Sequence, residues 1–166
     1  MIEIMSALAK AGHTPISKRP ITDLKVLNEA YDYAKPSQFS RGTRIDFNGV
    51  ALLLISGTAS IDENGTSIHI GDFRAQLRRV FHNISGLLKS EGCTWHDIVR
   101  TNCYLREMER DYDAFNEVRS EFFRTQGITI PPASTAIQTV LCRPELLIEI
   151  DAIAMFQTES AATTTA

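Results

Sequence analysis

The fold is decided by residues 71–105, which read GDFRAQLRRVFHNISGLLKSEGCTWHDIVRTNCYL. Asp72 stands where an N-cap is expected, and Gly92 stands where a helix of this length would end. Between them apolar residues recur at spacings of three and four: Phe73, Leu77, Val80, Ile84, Leu87 and Leu88. Residues 98–105 then have the character of a β-strand. An amphipathic helix followed at once by a strand predicts a helix that covers a sheet.

Two further strands are predicted before this helix. Residues 43–47 and the apolar run 50–55 flank Asn48-Gly49, and Asn-Gly between extended segments is a strong hairpin signal. The run 50–55 is too short for a long helix and too apolar for an exposed strand, so we expect a central strand.

The remaining elements follow residue 105. Asp111 is predicted to open a second helix, and strands are predicted at 134–141 and 146–156. The order ββαβαββ describes an α+β domain with two helices on one face of a mixed sheet. The other face of the sheet would remain uncovered, and association with copies of the same chain is the simplest way to bury it.

The two ends of the chain differ from this central part. Residues 1–38 form an N-terminal extension, for which we expect a short helix capped by Thr22 and ended by Pro36. Its apolar face would consist of Leu24, Leu27, Tyr31 and Ala34. Residues 157–166 are small and polar, and we expect a disordered tail.

Composition excludes several classes of protein. The chain has 166 residues, the size of one domain, with 17 basic and 20 acidic residues. The net charge of -3 argues against a dedicated nucleic-acid binder. No apolar run is long enough for a membrane span, and we expect a cytoplasmic protein. Neither the three cysteines nor the four histidines show the spacing of a disulfide framework or a metal site.

Several motifs, in order along residues 39–156, resemble the RidA/YjgF family of reactive-intermediate deaminases. They are ISGTASI (55–61), the segment 71–108, DYDAFNEVRSEFF (111–123), PPAST (131–135) and LLIEIDAIA (146–154). The resemblance implies a homotrimer of chorismate-mutase-like subunits with a central barrel and ligand clefts between subunits. It also implies hydrolysis of enamines and imines to 2-oxo acids and ammonia, without a metal or other cofactor.

A narrower resemblance involves the chorismatases, which hydrolyse an enol ether. SGTASI (56–61), HIGD (69–72) and LCRPELLIEID (141–151) are similar to the second half of those enzymes. Both chemistries need a carboxylate anchor, a proton donor and a positioned water.

Glu149 is the candidate catalytic residue. In LLIEIDAIA the period-two alternation separates Glu149 from Ile148 and Ile150, and burial in such a strand would raise the pKa of its carboxyl group. It also stands where the family has its active-site glutamate. The alternative is a carboxylate paired at a subunit interface. Ser56 and Gly57 match the family's Ser-Gly pair, followed by Thr58; a capped turn is the alternative for that pair.

One family residue is missing. Deaminating members have an arginine in the motif that here reads PPAST, and Ala133 stands in its place, beside Thr135. Alanine cannot bind a carboxylate, which argues against the ordinary hydrolysis of 2-imino acids. A trimeric protein that kept the cleft and binds a metabolite without catalysis is therefore a second hypothesis.

Other arginines are candidates for the missing anchor. Arg41 ranks first because it adjoins the aromatic position Phe39, and Arg143 beside Cys142 is the chorismatase-like candidate. Arg110, just before the second helix, is a further possibility.

Overall fold

The computed structural model describes residues 16–33 and 36–158, which form six β-strands and two α-helices. The strands are β1 (Lys18–Pro20), β2 (Gly42–Phe47), β3 (Val50–Ala59), β4 (Ile98–Leu105), β5 (Ala133–Gln138) and β6 (Ile148–Gln157). The helices are α1 (Phe73–Ser90) and α2 (Met108–Thr125). One sheet holds all six strands in the order β1-β2-β3-β6-β4-β5, with β4 and β5 parallel and the other pairs antiparallel. The predicted α+β class and the order ββαβαββ are confirmed, with β1 added at one edge.

The β2–β3 hairpin forms as predicted. Asn48 and Gly49 have φ values of 49° and 77°, the left-handed pair that a two-residue hairpin turn requires. Strand β3 continues four residues beyond the predicted end, and its register on β6 shifts between Ile55 and Thr58. The shift gives β3 an irregular step at Ser56-Gly57, beside the candidate site.

Helix α1 covers the inner face of the sheet. The Asp72 carboxylate accepts a hydrogen bond from the amide of Ala75 at 2.9 Å, and Gly92 follows the helix with a φ of 75°. The predicted apolar stripe is buried, and it packs in one core with Leu53 and Ile55 of β3 and Ile150 of β6. Fixing α1 in this way fixes the sheet that carries the site.

Helix α2 begins at Met108, three residues before the predicted start at Asp111. Its N-cap, Glu107, makes no side-chain capping bond. The side chain of Gln138, at the end of β5, instead accepts a hydrogen bond from the amide of Met108 at 2.8 Å. A cap supplied by a distant residue leaves no local sequence signal, which explains the misplaced start.

The α-helix predicted from Thr22 does not form in residues 22–33. Asp23 and Leu27 close a single turn, and only a 3₁₀ helix follows at Ala30–Asp32. The Asn28 side chain accepts a hydrogen bond from the amide of Glu29 at 2.8 Å, and this local bond competes with the backbone hydrogen bonds of a helix. The Asn28 amide donates to the carbonyl of Glu63, in the turn after β3, at 3.1 Å. Ala34, part of the predicted helix face, and residues 159–166 of the predicted tail lie outside the described residues.

The outer face of the sheet is not covered by either helix. On this face Leu52 of β3 stands opposite Met155 of β6, and Leu54 opposite Ile153. Leu54 is 41% exposed and Met155 is 50% exposed.

No helix in the described residues is long and apolar enough to cross a membrane.

Candidate functional site

A cleft of about 640 Å³ opens beside the irregular step in β3. Three parts of the chain form its walls: the segment before β2, the turn after β3 and the loop that leads into β6. Six of the residues predicted from the sequence line it: Phe39, Arg41, Gly57, Cys142, Arg143 and Glu149.

Glu149 lies on β6 with its side chain in the cleft. It stands opposite Ala59 of β3 and Tyr104 of β4. Burial raises the pKa of its carboxyl group, and the negative charge of Asp151 raises that pKa further. The thiol of Cys142 lies 4.0 Å from Oε2 of Glu149. A carboxyl group that holds its proton above the usual pH range can act as an acid or base nearer neutrality.

Gly57 makes room for this carboxylate. A Cβ atom built on Gly57 would overlap Oε1 of Glu149. The sequence matched Gly57 to the family's Ser-Gly pair, and in the structure this glycine allows a close approach of the Glu149 side chain. Any residue other than glycine here would force Glu149 out of its position.

Arg41, in the segment before β2, is a buried cation that also lines the cleft and is only 4% exposed. Its Nε donates to the carbonyl of Asn28 at 3.0 Å, and Nη2 donates to the hydroxyl of Tyr33. The guanidinium carbon lies 4.8 Å from the centre of the Tyr33 ring and 5.3 Å from that of Phe39. Within residues 16–33 and 36–158, no carboxylate lies at ion-pair distance from Arg41. Burial lowers the pKa of its guanidinium group.

Arg143 and Cys142 belong to the loop that enters β6. Nη1 of Arg143 donates to the carbonyl of Gly65 at 2.6 Å and to the hydroxyl of Ser67 at 3.1 Å, so this arginine ties two walls of the cleft together. Arg106 at the end of β4 also stabilises this loop, because its side chain donates to the carbonyls of Leu146 and Arg143, both at 2.6 Å. Burial raises the pKa of the Cys142 thiol, and the Glu149 charge adds to this effect.

Three predicted residues do not line the cleft. The Ser56 hydroxyl donates to the carbonyl of Ser40 at 2.8 Å, and the buried Thr58 hydroxyl donates to the carbonyl of Ser56 at 2.9 Å. Both bonds support the walls. Thr135 accepts a hydrogen bond from Arg100 at 2.9 Å on the edge strand β5. Arg110, a further sequence candidate, pairs with Asp111 at 2.6 Å instead.

The sequence patterns missed several cleft residues, of which Tyr33 is the most important. The expected helix put Tyr31 on the apolar face, whereas Tyr31 is 49% exposed and Tyr33 reaches the cleft. Asn64 and Glu145 also line it. Both residues lie in loops, where the sequence has no periodic pattern that would indicate which side chains point into the cleft. Among the described residues, no three His, Cys, Asp or Glu side chains are grouped to hold a metal ion.

The fold and cleft first define a class: α+β proteins whose mixed sheet carries two helices on one face, as in solved Rid-family structures. The chain superimposes on YyfA of Yersinia pestis, a Rid-family protein of unknown function, with a TM-score of 0.68 and 25% identity. That match covers 83% of this chain and 98% of YyfA. The YjgF gene product of E. coli gives a TM-score of 0.65 at 22% identity, covering 82% and 97% of the two chains.

Sequence comparison identifies the family itself. The family model described as Endoribonuclease L-PSP matches residues 34–156. The 3-aminoacrylate deaminase RutC of Acinetobacter baylyi is 34% identical over 103 residues, which cover 62% of this chain and 78% of RutC. The chain therefore belongs to the RidA/YjgF family.

Proposed function

We propose that this protein is a cofactor-independent hydrolase of a small unsaturated carboxylate, with enamine or imine deamination as its reaction. The observation that supports this most strongly is the pairing of two groups in one cleft. Glu149 has a carboxyl pKa raised by burial, and Arg41 is a buried cation without a carboxylate at ion-pair distance among the described residues. The deaminase activity named for RutC, at 34% identity, supports the same reaction class.

In the proposed reaction, the protonated Glu149 carboxyl delivers its proton to the substrate carbon, which converts the enamine into an iminium ion. The Glu149 carboxylate then orients a water molecule, which adds to the C=N bond while one of its protons passes to Glu149. Glu149 gives this proton to the nitrogen of the carbinolamine and takes up the hydroxyl proton as the C=O bond forms. Cleavage of the C–N bond releases ammonia and leaves a 2-oxo or 3-oxo acid. Arg41 binds the substrate carboxylate, flanked by the ring of Phe39, and Cys142 and Arg143 complete the cleft beside Glu149.

The proposed functional unit is a homotrimer in which each cleft is completed by a neighbouring subunit. Two features support this. The apolar cluster on the outer face of the sheet is exposed in the single chain. Strand β5 also forms one edge of the sheet, and its residues are exposed except for Ala136, which is half-buried. A neighbour would bring its own β5, with Thr135, to the shared cleft. Ser56 and Thr58 of β3 would support the wall of that cleft. This unit acts on a small metabolite, away from membranes and nucleic acids.

A second candidate reaction is the hydrolysis of an enol ether, as in the chorismatase-like hypothesis. The observation in its favour is that Cys142 and Arg143, the residues of that resemblance, both line the cleft beside Glu149. Protonation on carbon again comes first, water adds to the resulting cation, and the C–O bond breaks to give a ketone and an alcohol.

The experiment is a turnover assay with three substrates: freshly generated 2-aminoacrylate, freshly generated 3-aminoacrylate, and chorismate. We expect ammonia release above the buffer rate from at least one enamine. Pyruvate release from chorismate alone would favour the enol-ether reaction. Saturable binding without any product would favour a metabolite-binding protein, the hypothesis that Ala133 suggested.

A further inference from the structure

Residues 28–33 form the part of the cleft wall to which the Arg41 side chain is hydrogen-bonded. These residues precede the part of the chain matched by the family model, residues 34–156. This wall is a fixed part of the fold. The amide of Asn28 donates to the carbonyl of Glu63 at 3.1 Å, and Ala30 is 1% exposed. The ring of Tyr33 packs so closely on Gly65 that a Cβ there would overlap the ring, so the segment lies directly on the turn after β3.

The hydroxyl proton of Tyr33 is available for a further hydrogen bond. Its oxygen accepts a hydrogen bond from Nη2 of Arg41, and its own proton meets no acceptor within the described part of the chain. Arg41 in turn has five N–H groups, of which one at Nε and one at Nη2 are engaged. Both side chains line the cleft. A phenol donor and a guanidinium donor therefore stand side by side at one wall.

We propose that Tyr33 and Arg41 together form the carboxylate-binding site, with the Tyr33 hydroxyl donating to one oxygen and Arg41 to the other. Two adjacent donors match the two oxygens of a carboxylate, as a single bidentate arginine does. This arrangement replaces the arginine whose family position is occupied by Ala133. The inference rests on the proposed function, since it assigns the atoms that hold that function's carboxylate.

The charge around Arg41 favours an anionic occupant. Glu29 is the acidic residue whose charge acts on the Arg41 guanidinium group. It is 3% exposed, it is not at ion-pair distance, and both its oxygens lack a hydrogen-bond partner within the described residues. Arg19, Arg44 and Arg74, by contrast, each pair with a carboxylate at the surface or near it. Arg41 is left with part of its charge uncompensated on the cleft side.

The test compares two probes by NMR titration: crotonate, a four-carbon unsaturated carboxylate, and crotonamide, its uncharged isostere. The variant is Tyr33→Phe, which removes only the hydroxyl and keeps the ring on Gly65. We expect it to weaken crotonate binding about tenfold, the effect of one hydrogen bond to a charged group, and to weaken crotonamide binding less, because the amide oxygen is a neutral acceptor. The matched control is Tyr31→Phe, which removes a hydroxyl two residues away on an exposed side chain. Thermal unfolding of both variants checks that the fold is intact.

The possible outcomes separate this inference from the proposed function. If the native protein prefers crotonate and Tyr33→Phe keeps the full preference, the role of Tyr33 is wrong and the proposed hydrolase stands. If the native protein shows no preference for crotonate, or binds neither probe, both proposals are overturned. For an enamine that is turned over, Tyr33→Phe is expected to raise KM with little change in kcat, because the bond is made to a group that does not react.

Discussion

Glu149 and Asp151 show how two carboxylates on one face of β6 are given different roles by their neighbours. Asp151 accepts hydrogen bonds from Asn102 at 2.9 Å and from the hydroxyl of Tyr104 at 2.6 Å. The bond to Asp151 raises the pKa of Tyr104 to about 12. Glu149 has no donor in the described residues other than the Cys142 thiol at 4.0 Å, so burial raises its pKa. The unsupported carboxylate is the one that faces the cleft.

Asp151→Asn is therefore expected to lower the pKa of Glu149, because a negative charge that disfavours ionisation of Glu149 is removed. The limb of the pH–rate profile governed by Glu149 would move to lower pH. The measurement is kcat/KM as a function of pH for the native protein and the variant. Glu121→Gln, which removes a charge from the exposed surface of α2, serves as the control. An unchanged profile for Asp151→Asn would show that the two groups are not coupled.

Glu29→Gln is expected to stabilise the protein at neutral pH. Burial raises the pKa of Glu29, so its ionisation costs more in the folded state than in the unfolded state, and stability falls as pH rises from the ordinary glutamate pKa through the raised one. Glutamine removes the buried charge, with an expected gain of about 1 kcal/mol at pH 7. Urea unfolding at pH 7 and at about pH 4 measures it. The gain should shrink at the lower pH, and a loss of stability at pH 7 would contradict this account.

At the scale of elements, the sequence predicted what local patterns control and missed what distant contacts control. The helix α1 has its own cap, stripe and terminating glycine, and strand β4 was predicted with its observed bounds. The start of α2 depends on Gln138, thirty residues away in the chain, and was misplaced. Strand β1 has three exposed residues and no apolar alternation, and it forms because it pairs with β2.

The candidate site followed the same rule. Motifs and strand alternation predicted Glu149, Arg41 and Arg143, and all three line one cleft. Tyr33 could not be predicted, because its position depends on the Asn28 contact with Glu63 and on the turn at Gly65. Neither contact leaves a pattern in the local sequence.

Gln76 is the side chain that joins α1 to the loop leading into β6. It is fully buried. Its side chain accepts a hydrogen bond from the amide of Leu147 at 2.8 Å and donates one to the carbonyl of Glu145 at 2.9 Å. Gln76→Ala would remove the partner of two partly buried backbone groups, and we expect a loss of about 2 kcal/mol in the free energy of unfolding. Arg78→Ala on the same helix breaks only an exposed ion pair and should cost about 0.5 kcal/mol or less. Equal effects in urea unfolding would contradict the role of Gln76.

For the whole molecule, the exposed outer face of the sheet supports the proposal that the chain assembles with copies of itself, as the trimer that the family resemblance implies. Leu54→Asp would put a charge into the apolar cluster formed with Leu52, Ile153 and Met155, and we expect it to yield monomers with little turnover. Light scattering after size-exclusion chromatography measures the mass. Leu24→Asp, at an exposed apolar residue of the N-terminal turn, is the control and should keep the native mass. A native protein that is monomeric at micromolar concentration would contradict the trimer.

The central claim is that the cleft around Glu149 catalyses hydrolysis, and one comparison tests it most directly. Ammonia release from freshly generated 2-aminoacrylate and 3-aminoacrylate is measured for the native protein and for Glu149→Gln, at equal concentrations of assembled protein. Glutamine keeps the shape of the side chain above Gly57 and removes its ability to exchange a proton. The account predicts release above the buffer rate by the native protein and a loss of about a hundredfold or more in the variant. Equal rates for the two proteins, or no release above buffer from assembled native protein, would contradict it.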